Sequence, residues 1–419
     1  MQEHLTRLRR ATALCVALWL VFVVVSCGRA DKSSAASDDK SAQASASGDG
    51  TDSNGYVRIA KSTENRDSLG MMADVPGLTP GGECPPAGPS AAEEMAAQAA
   101  ARIPLKVGLT LSHVWKMAAG DYEHECLLQV TTVDVRGVDV TSSCPIGPDR
   151  KLTTSSRRIC RSDLANSYIY VTEFDTGWPP TLRGSLQFSL SESSFAALKT
   201  RGHVRHRYLN VPERTDRLLV LDKDVDGDLK SEGKSTFKVI VNDTAVELST
   251  IEATLAKDNH LIRVKVLDEP HVPIMLDYYH PADKFFVTYT KISFPTEHTI
   301  EQHLATDRKV DVYGIYFDFA SDSLRKESYP VLREIATALD AHPEWKLTIT
   351  GHTDSIGGAA SNLELSRKRS ARVRRALVEQ FHIADARLTT SGSGAGQPKD
   401  VNTTVEGRAR NRRVELVRQ

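Results

Sequence analysis

The chain has 419 residues, room for two or more domains at about 150 residues each. Its 53 Lys and Arg balance 54 Asp and Glu, leaving a formal net charge of -1. A chain this near neutrality lacks the field that draws proteins to nucleic acid, so no nucleic-acid partner is expected.

The first residues form an export signal. Arg7, Arg9 and Arg10 precede an apolar run from Ala11 to Val25, and Ser26-Cys27-Gly28 follows. A basic start, a short apolar centre and small residues at the exit mark residues 1–26 as a signal peptide. The run is short for a bilayer, which needs roughly 20 apolar residues. Val24-Val25-Ser26-Cys27 resembles a bacterial lipobox, whose cysteine takes a lipid such as palmitate and becomes the new N-terminus. The alternative is an ordinary cleaved signal with an incidental Cys27. Gly28 follows the lipidation position, where enteric bacteria place Asp for inner-membrane retention. By resemblance, the expected address is the outer membrane, with the chain lipid-anchored and facing the periplasm.

Residues 27–104 read as the lipidated cysteine and a flexible low-complexity linker. Up to about residue 55 they are Ser, Ala, Asp and Gly, with too little apolar surface to offset ordering entropy. Ala91 to Arg102 is Ala-rich and suits a short helix, but its faces offer little to bury, and it too reads as linker. Cys84, Cys126, Cys144 and Cys160 remain once Cys15 is lost with the signal and Cys27 is assigned to lipid. An even number in an exported chain points to two disulfides, with three connectivities open. A hairpin at Arg136-Gly137 would bring Cys126 opposite Cys144, which favours 126–144 with 84–160.

Residues 105–300 carry short alternating runs, including Leu127-Gln129-Thr131, Phe237-Val239-Val241 and Ile262-Val264-Val266. Separated by Gly, Asp, Asn and Pro, they predict a mainly antiparallel all-β domain of unknown role. Asp222, Asp224, Asp226 and Asp228 before and after Gly227 have the acid spacing of a Ca²⁺ loop, but the closing Glu is missing, because Gly233 holds the twelfth position. An acidic β-turn is the favoured reading, and no metal is assigned. Ser235-Thr236-Phe237-Lys238 matches SxxK formally, yet it lies in a strand pattern without companion motifs.

The last segment, 304–419, changes rhythm. Tyr313 to Phe319 reads as a strand. Leu332, Ile335, Ala336 and Leu339 mark one helix face. A strand at Lys346–Thr350, a helix at Asn362–Phe381 and strands at Arg387–Ser391 and Arg413–Val417 complete an α+β pattern, with Ser391 to Gly396 partly read as a Gly-rich loop. Within it, Gly351-His352-Thr353-Asp354 precedes Asn362, Leu365-Ser366 and Arg369, and Asn411-Arg412-Arg413-Val414-Glu415 closes the chain.

These elements, in this order, resemble the OmpA-like C-terminal domain, which binds bacterial peptidoglycan. The resemblance implies a mixed sheet with helices on one side. It further implies that Asp354 and Arg369 grip the diaminopimelate head of the stem peptide, an ammonium beside a carboxylate. Asp supplies the acceptor for the one and Arg a planar fork for the other. Thr353, Asn362, Leu365, Ser366, Phe317 and Asp318 are expected around the pocket. Arg412 is expected at its rim or, with Arg413, bracing the fold. His352 has no recognisable nucleophile beside it and carries no catalytic expectation. The expected protein is a non-enzymatic lipoprotein joining outer membrane to peptidoglycan, without a cofactor. The rival reading makes the middle β domain a cell-wall or ligand-processing enzyme, or a ligand-binding protein, merely localised by the C-terminal domain. An envelope protein as partner of the middle domain is left open.

Overall fold

The computed structural model describes residues 76–116, 123–146, 150–171, 180–210, 223–257, 260–281, 284–296 and 299–419. The signal segment, Cys27 and Asp222 lie outside them. Among the described residues no helix is long and apolar enough to cross a membrane.

The first part is built from strands: β1 Thr79–Pro80, β2 Thr110–Lys116, β3 His124–Asp134, β4 Gly137–Ile146, β5 Lys151–Cys160, β6 Ile169–Val171, β7 Leu182–Arg183, β8 Ser185–Leu186, β9 His203–Asn210, β10 Lys223–Val241, β11 Thr244–Lys257, β12 His260–Leu267, β13 Met275–His280 and β14 Phe285–Ser293. Three helices interrupt them, α1 Ala91–Ala100, α2 Arg161–Asn166 and α3 Glu192–Arg201. Twelve strands form one sheet in the order β5-β4-β3-β2-β14-β13-β12-β11-β10-β9-β6-β8, and β14 also pairs with β10. That extra pairing is parallel, at Ile240↔Lys291 and Val241↔Ile292, and it closes β10 to β14 into a ring of hydrogen-bonded strands. The long β10–β11 hairpin turns at Asn242 and Asp243, whose φ values of 43° and 65° suit a two-residue turn built from Asn and Asp. Leu128, Val130, Val140, Ile159, Phe188, Leu248 and Ile274 are buried in one apolar cluster, and Phe195, Leu255, Val264 and Met275 in another. The mainly antiparallel β prediction holds.

Two expectations about this part are corrected. The end of the predicted linker is folded: the short Ala-rich helix is present as α1, but it is docked, with Ile103 and Leu105 in the first core and Gln98 2% exposed. Gln98 accepts from Arg161 Nη1 at 2.8 Å and donates to Glu192 Oε1 at 3.2 Å, so polar bonds anchor a helix whose alanines bury little. The acidic run is neither turn nor loop. Asp224, Asp226 and Asp228 lie in β10, paired with Leu209, Arg207 and Arg205 of β9, and Asp226 is ion-paired to Arg205 at 2.8 Å. Ser235 lies in β10 as its strand pattern predicted, with its hydroxyl on Thr250 at 2.8 Å.

Both favoured disulfides are present, Cys84–Cys160 with Cα atoms 5.3 Å apart and Cys126–Cys144 at 4.4 Å. The β3–β4 register, Leu127↔Ser143, sets Cys126 opposite Cys144 as the hairpin requires. His113 lies beside this second pair, but the two sulfurs are bonded to each other and offer no thiolate to a metal.

The C-terminal part comprises α4 Thr299–Thr306, β15 Lys309–Val312, α5 Tyr329–Ala341, β16 Leu347–His352, α6 Ala359–Phe381, β17 Leu388–Gly394, α7 Val405–Asn411 and β18 Val414–Arg418. Its sheet runs β15-β18-β16-β17. β15 and β16 are antiparallel to β18, whereas β16 and β17 are parallel and joined through α6, as a parallel pair demands. Leu332, Ile335 and Leu339 of α5 meet Leu347, Ile349, Val373, Leu377 and Leu416 in a separate core. The first strand ends earlier than expected, at Val312, and Phe317 makes only an isolated bridge to Leu324. Ser391 to Gly394, expected as loop, finishes β17. The twelve-stranded and four-stranded sheets belong to one compact unit.

Candidate functional site

The loop after β16 and the second and third turns of α6 face one cleft of about 740 Å³. Gly351, at the strand end, makes this approach close: a Cβ there would lie 2.2 Å from the Ser366 carbonyl oxygen. Ser366 Oγ in turn accepts from the Gly394 amide at 2.9 Å, tying α6 to β17. Asn362 then secures the loop, donating from Nδ2 to the carbonyls of Asp354 and Ile356 at 3.2 and 3.0 Å. Asp354 Oδ1 accepts from the Ile356 amide at 2.9 Å, an Asx turn that fixes the carboxylate's aim. Thr353 is buried, and among the described residues its Oγ1 has no partner.

The two residues expected to act together do not pair directly. Asp354 Oδ2 receives Arg412 Nη1 at 2.8 Å. Arg369 instead donates from Nε to the Ser321 carbonyl at 2.9 Å and stacks over the Phe317 ring, 4.8 Å from its centroid. Its Nη2 reaches the Asp318 carbonyl only at 3.5 Å. Among the described residues no carboxylate is ion-paired with Arg369. Burial lowers its pKa to about 10, opposed by the more distant charges of Glu125 and Asp354. It remains a cation, poorly hydrated and, among the described residues, without a directly paired counter-ion.

Arg412 sits in the cleft and not at its rim. Besides Asp354 it approaches Glu125 (Nε to Oε2, 3.6 Å) and Glu123 (Nη1 to Oε2, 3.9 Å). Burial works against its charge, but these acids more than compensate and raise its pKa. Arg413 braces the sheet as expected, with Nε on Asp311 Oδ1 at 3.0 Å. Asn411, first residue of the closing motif, accepts the amides of Lys399 and Asp400 and donates to Asn402, holding the preceding loop. His352 is 3% exposed, and burial, followed by the Arg413 charge, lowers its pKa to about 4. It is a neutral packing residue. Leu365, Phe317 and Asp318 line the cleft, and Phe319 and Ile356 are each 49% exposed at its lip.

Sequence reasoning missed the wall opposite. Glu123 and Glu125 precede and begin β3, and Lys291 lies on β14. All three belong to the β-rich part, yet they line the same cleft. Glu125 accepts from Lys291 Nζ at 2.9 Å and from Ser112 Oγ at 3.0 Å. Burial alone would raise its pKa, but Lys291 and Arg412 hold it well below the usual carboxylate range. Glu123 is clasped by Arg408 of α7. Arg325 reaches across to β4, donating from Nη2 to the Ser143 carbonyl at 2.8 Å. No local pattern marks these residues, because their partners lie 166 to 285 positions away.

Residues 316–412 match the OmpA family. They form an OmpA family domain. Outer membrane porin F of Pseudomonas aeruginosa is 38% identical over 101 residues, 24% of this chain and 29% of that protein. The peptidoglycan-binding protein ArfA of Mycobacterium tuberculosis is 40% identical over 95 residues, 23% of this chain and 29% of that protein. The chain thus spans less than a third of the length of these curated relatives. A crystal structure of the peptidoglycan-associated lipoprotein from Burkholderia pseudomallei shares 35% identity over 25% of this chain and 88% of that chain, with a TM-score of 0.24. The OmpA domain holds Asp354, Arg369 and Arg412, while Glu123, Glu125 and Lys291 lie outside it.

Proposed function

We propose that the chain is an outer-membrane lipoprotein, lipidated at Cys27, whose OmpA domain binds the diaminopimelate residue of peptidoglycan. It acts as a link between membrane and wall and not as an enzyme. The observation that carries this reading is Arg369: a guanidinium in a cleft, largely desolvated, with no carboxylate among the described residues ion-paired to it. A cation in that state costs free energy unless an anion arrives. Asp354, fixed by its Asx turn and only partly occupied by Arg412, is an acceptor in the same cleft for an ammonium. A free amino-acid head carries both charges on one carbon. Thr353 Oγ1 offers a further polar atom, and Phe317 supports the guanidinium from behind. The family resemblance and the name of the mycobacterial relative point the same way.

Cosedimentation with purified sacculi tests the reading. Each charge-assisted contact is worth about 1.5 to 3 kcal/mol, or roughly ten- to over a hundredfold in affinity. Folded Asp354→Ala and Arg369→Ala proteins should each lose binding on that scale. Parental sedimentation by both would refute the assignment. Intact mass of the membrane-extracted protein tests the anchor: a mature product that does not begin at a lipid-bearing Cys27 would refute it.

A further inference from the structure

Glu123 and Glu125 are not part of the OmpA domain, yet they complete the charge pattern of its cleft. At its centre Asp354, Glu123 and Glu125 face four cations, Arg412, Arg408, Lys291 and Arg369; other acids and bases, Asp318, Asp322 and Arg325 among them, line the same cleft. Arg408 is taken by Glu123, Lys291 by Glu125, and Arg412 is shared among all three acids. Arg369 is the remainder. Within this central set Arg369 alone has no ion-pair partner among the described residues, although Asp322 opposes its charge from further off, and Asp354 shares its arginine with two other acids.

That second property depends on Glu125. Arg412 Nη1 is already 2.8 Å from Asp354, and Glu125 on its other side, 3.6 Å from Nε, draws part of the guanidinium's charge away. Without Glu125, Arg412 would keep Asp354 as its one near acid, with Glu123 only at 3.9 Å, and this central set would lose one of its three negative charges. A ligand ammonium would then meet a neutralised acceptor in a positive field, while a plain carboxylate would be drawn in more strongly.

We propose that Glu125, assisted by Glu123, is a specificity residue supplied by the β-rich part: it keeps Asp354 open to an ammonium, so that the cleft selects a zwitterionic amino-acid head over a simple anion. This rests on the binding reading given above. Glu125 itself is a positioning residue, acting through Arg412. Its rigidity for the task comes from Ser112, Lys291 and the Arg325 clamp, whose Nη1 donates to the Glu125 carbonyl at 3.2 Å. The β-rich part is then one wall of the binding site.

The test uses the full mature chain and two probes: a stem peptide with a free diaminopimelate head, and the same peptide with that head's amine acetylated. The parent should prefer the free head by about tenfold or more, the weight of one charge-assisted contact. Glu125→Gln should weaken the free head about tenfold and leave the acetylated probe unchanged or tighter, so that the preference collapses. Because Lys291 is 3% exposed and loses its partner in that variant, Glu125→Gln/Lys291→Met removes both charges together, a change buried pairs often tolerate. The same collapse is expected there, at the parental melting temperature. If both folded variants keep the parental preference while Asp354→Ala abolishes binding, the role of Glu125 is refuted and the binding reading stands. If Asp354→Ala also leaves binding intact, both fall.

Discussion

Replacing Gly351 by Ala probes how the fold sets the site. The new Cβ would stand 2.2 Å from the Ser366 carbonyl oxygen and 3.0 Å from its carbonyl carbon, both backbone atoms that cannot rotate aside. Relief requires α6 and β16 to separate by about 1 Å, the shortfall from an ordinary contact. Overpacking of this kind costs about 1 to 3 kcal/mol. The movement also strains the Ser366–Gly394 bond and displaces Arg369, which rides on α6, from Asp354, which follows β16. A ligand bridging both would lose at least one charge-assisted contact, so sacculus binding should fall about tenfold. Gly358→Ala is the control, at the start of the same helix, where the nearest atom to a Cβ is Ser361 Oγ at 3.4 Å. Thermal denaturation and cosedimentation of the two variants make the comparison. Gly351→Ala matching Gly358→Ala in both stability and binding would refute the reasoning.

Arg369→Lys should recover little of the binding lost in Arg369→Ala, because an ammonium cannot reproduce the planar fork stacked on Phe317; cosedimentation of the three proteins decides this. Breaking Cys84–Cys160, which spans 76 residues, should cost more than breaking Cys126–Cys144, which spans 18: about 4.5 against about 3 kcal/mol in the chain-entropy account, measured by denaturant unfolding of paired Ser variants. His206 and His352 are buried with pKa values lowered to about 4, below the 6.5 of the unfolded chain. The unfolded state therefore binds more protons between those values, and stability should fall as pH drops from 6.5 towards 4, by about 1.4 kcal/mol per unit for each. His352→Gln should flatten that slope in melting-temperature measurements; an unchanged slope would refute the assignment.

The α+β part was legible because its signals are periodic or local. Leu332, Ile335, Ala336 and Leu339 repeat at helix spacing, and all four are buried in one core. Asp354 and Arg369 were found through the motif that surrounds them, and both line one cleft, although the structure partners Asp354 with Arg412 instead. The antiparallel character of residues 105–300 was legible from alternation. The acidic run was misread because Asp and Gly disfavour strands, yet it pairs along its length with β9, and Val225 and Leu229 bury beside the acids. α1 was misread as linker because an alanine-rich face carries almost no hydrophobic signal, and its anchor is the buried amide of Gln98. The roles of Glu123, Glu125 and Lys291 had no signal at all. They arise only when β3 and β14 are folded against the OmpA domain.

The central claim is that the cleft reads an ammonium and a carboxylate on one carbon. The most direct measurement is the affinity of the full mature chain for two stem peptides identical except at one residue, diaminopimelate in one and lysine in the other. Lysine keeps an ammonium but lacks the carboxylate that Arg369 would receive. The account predicts binding at least about tenfold weaker for the lysine peptide, with the difference abolished in Arg369→Ala. Equal affinity of the parent for both peptides would contradict it.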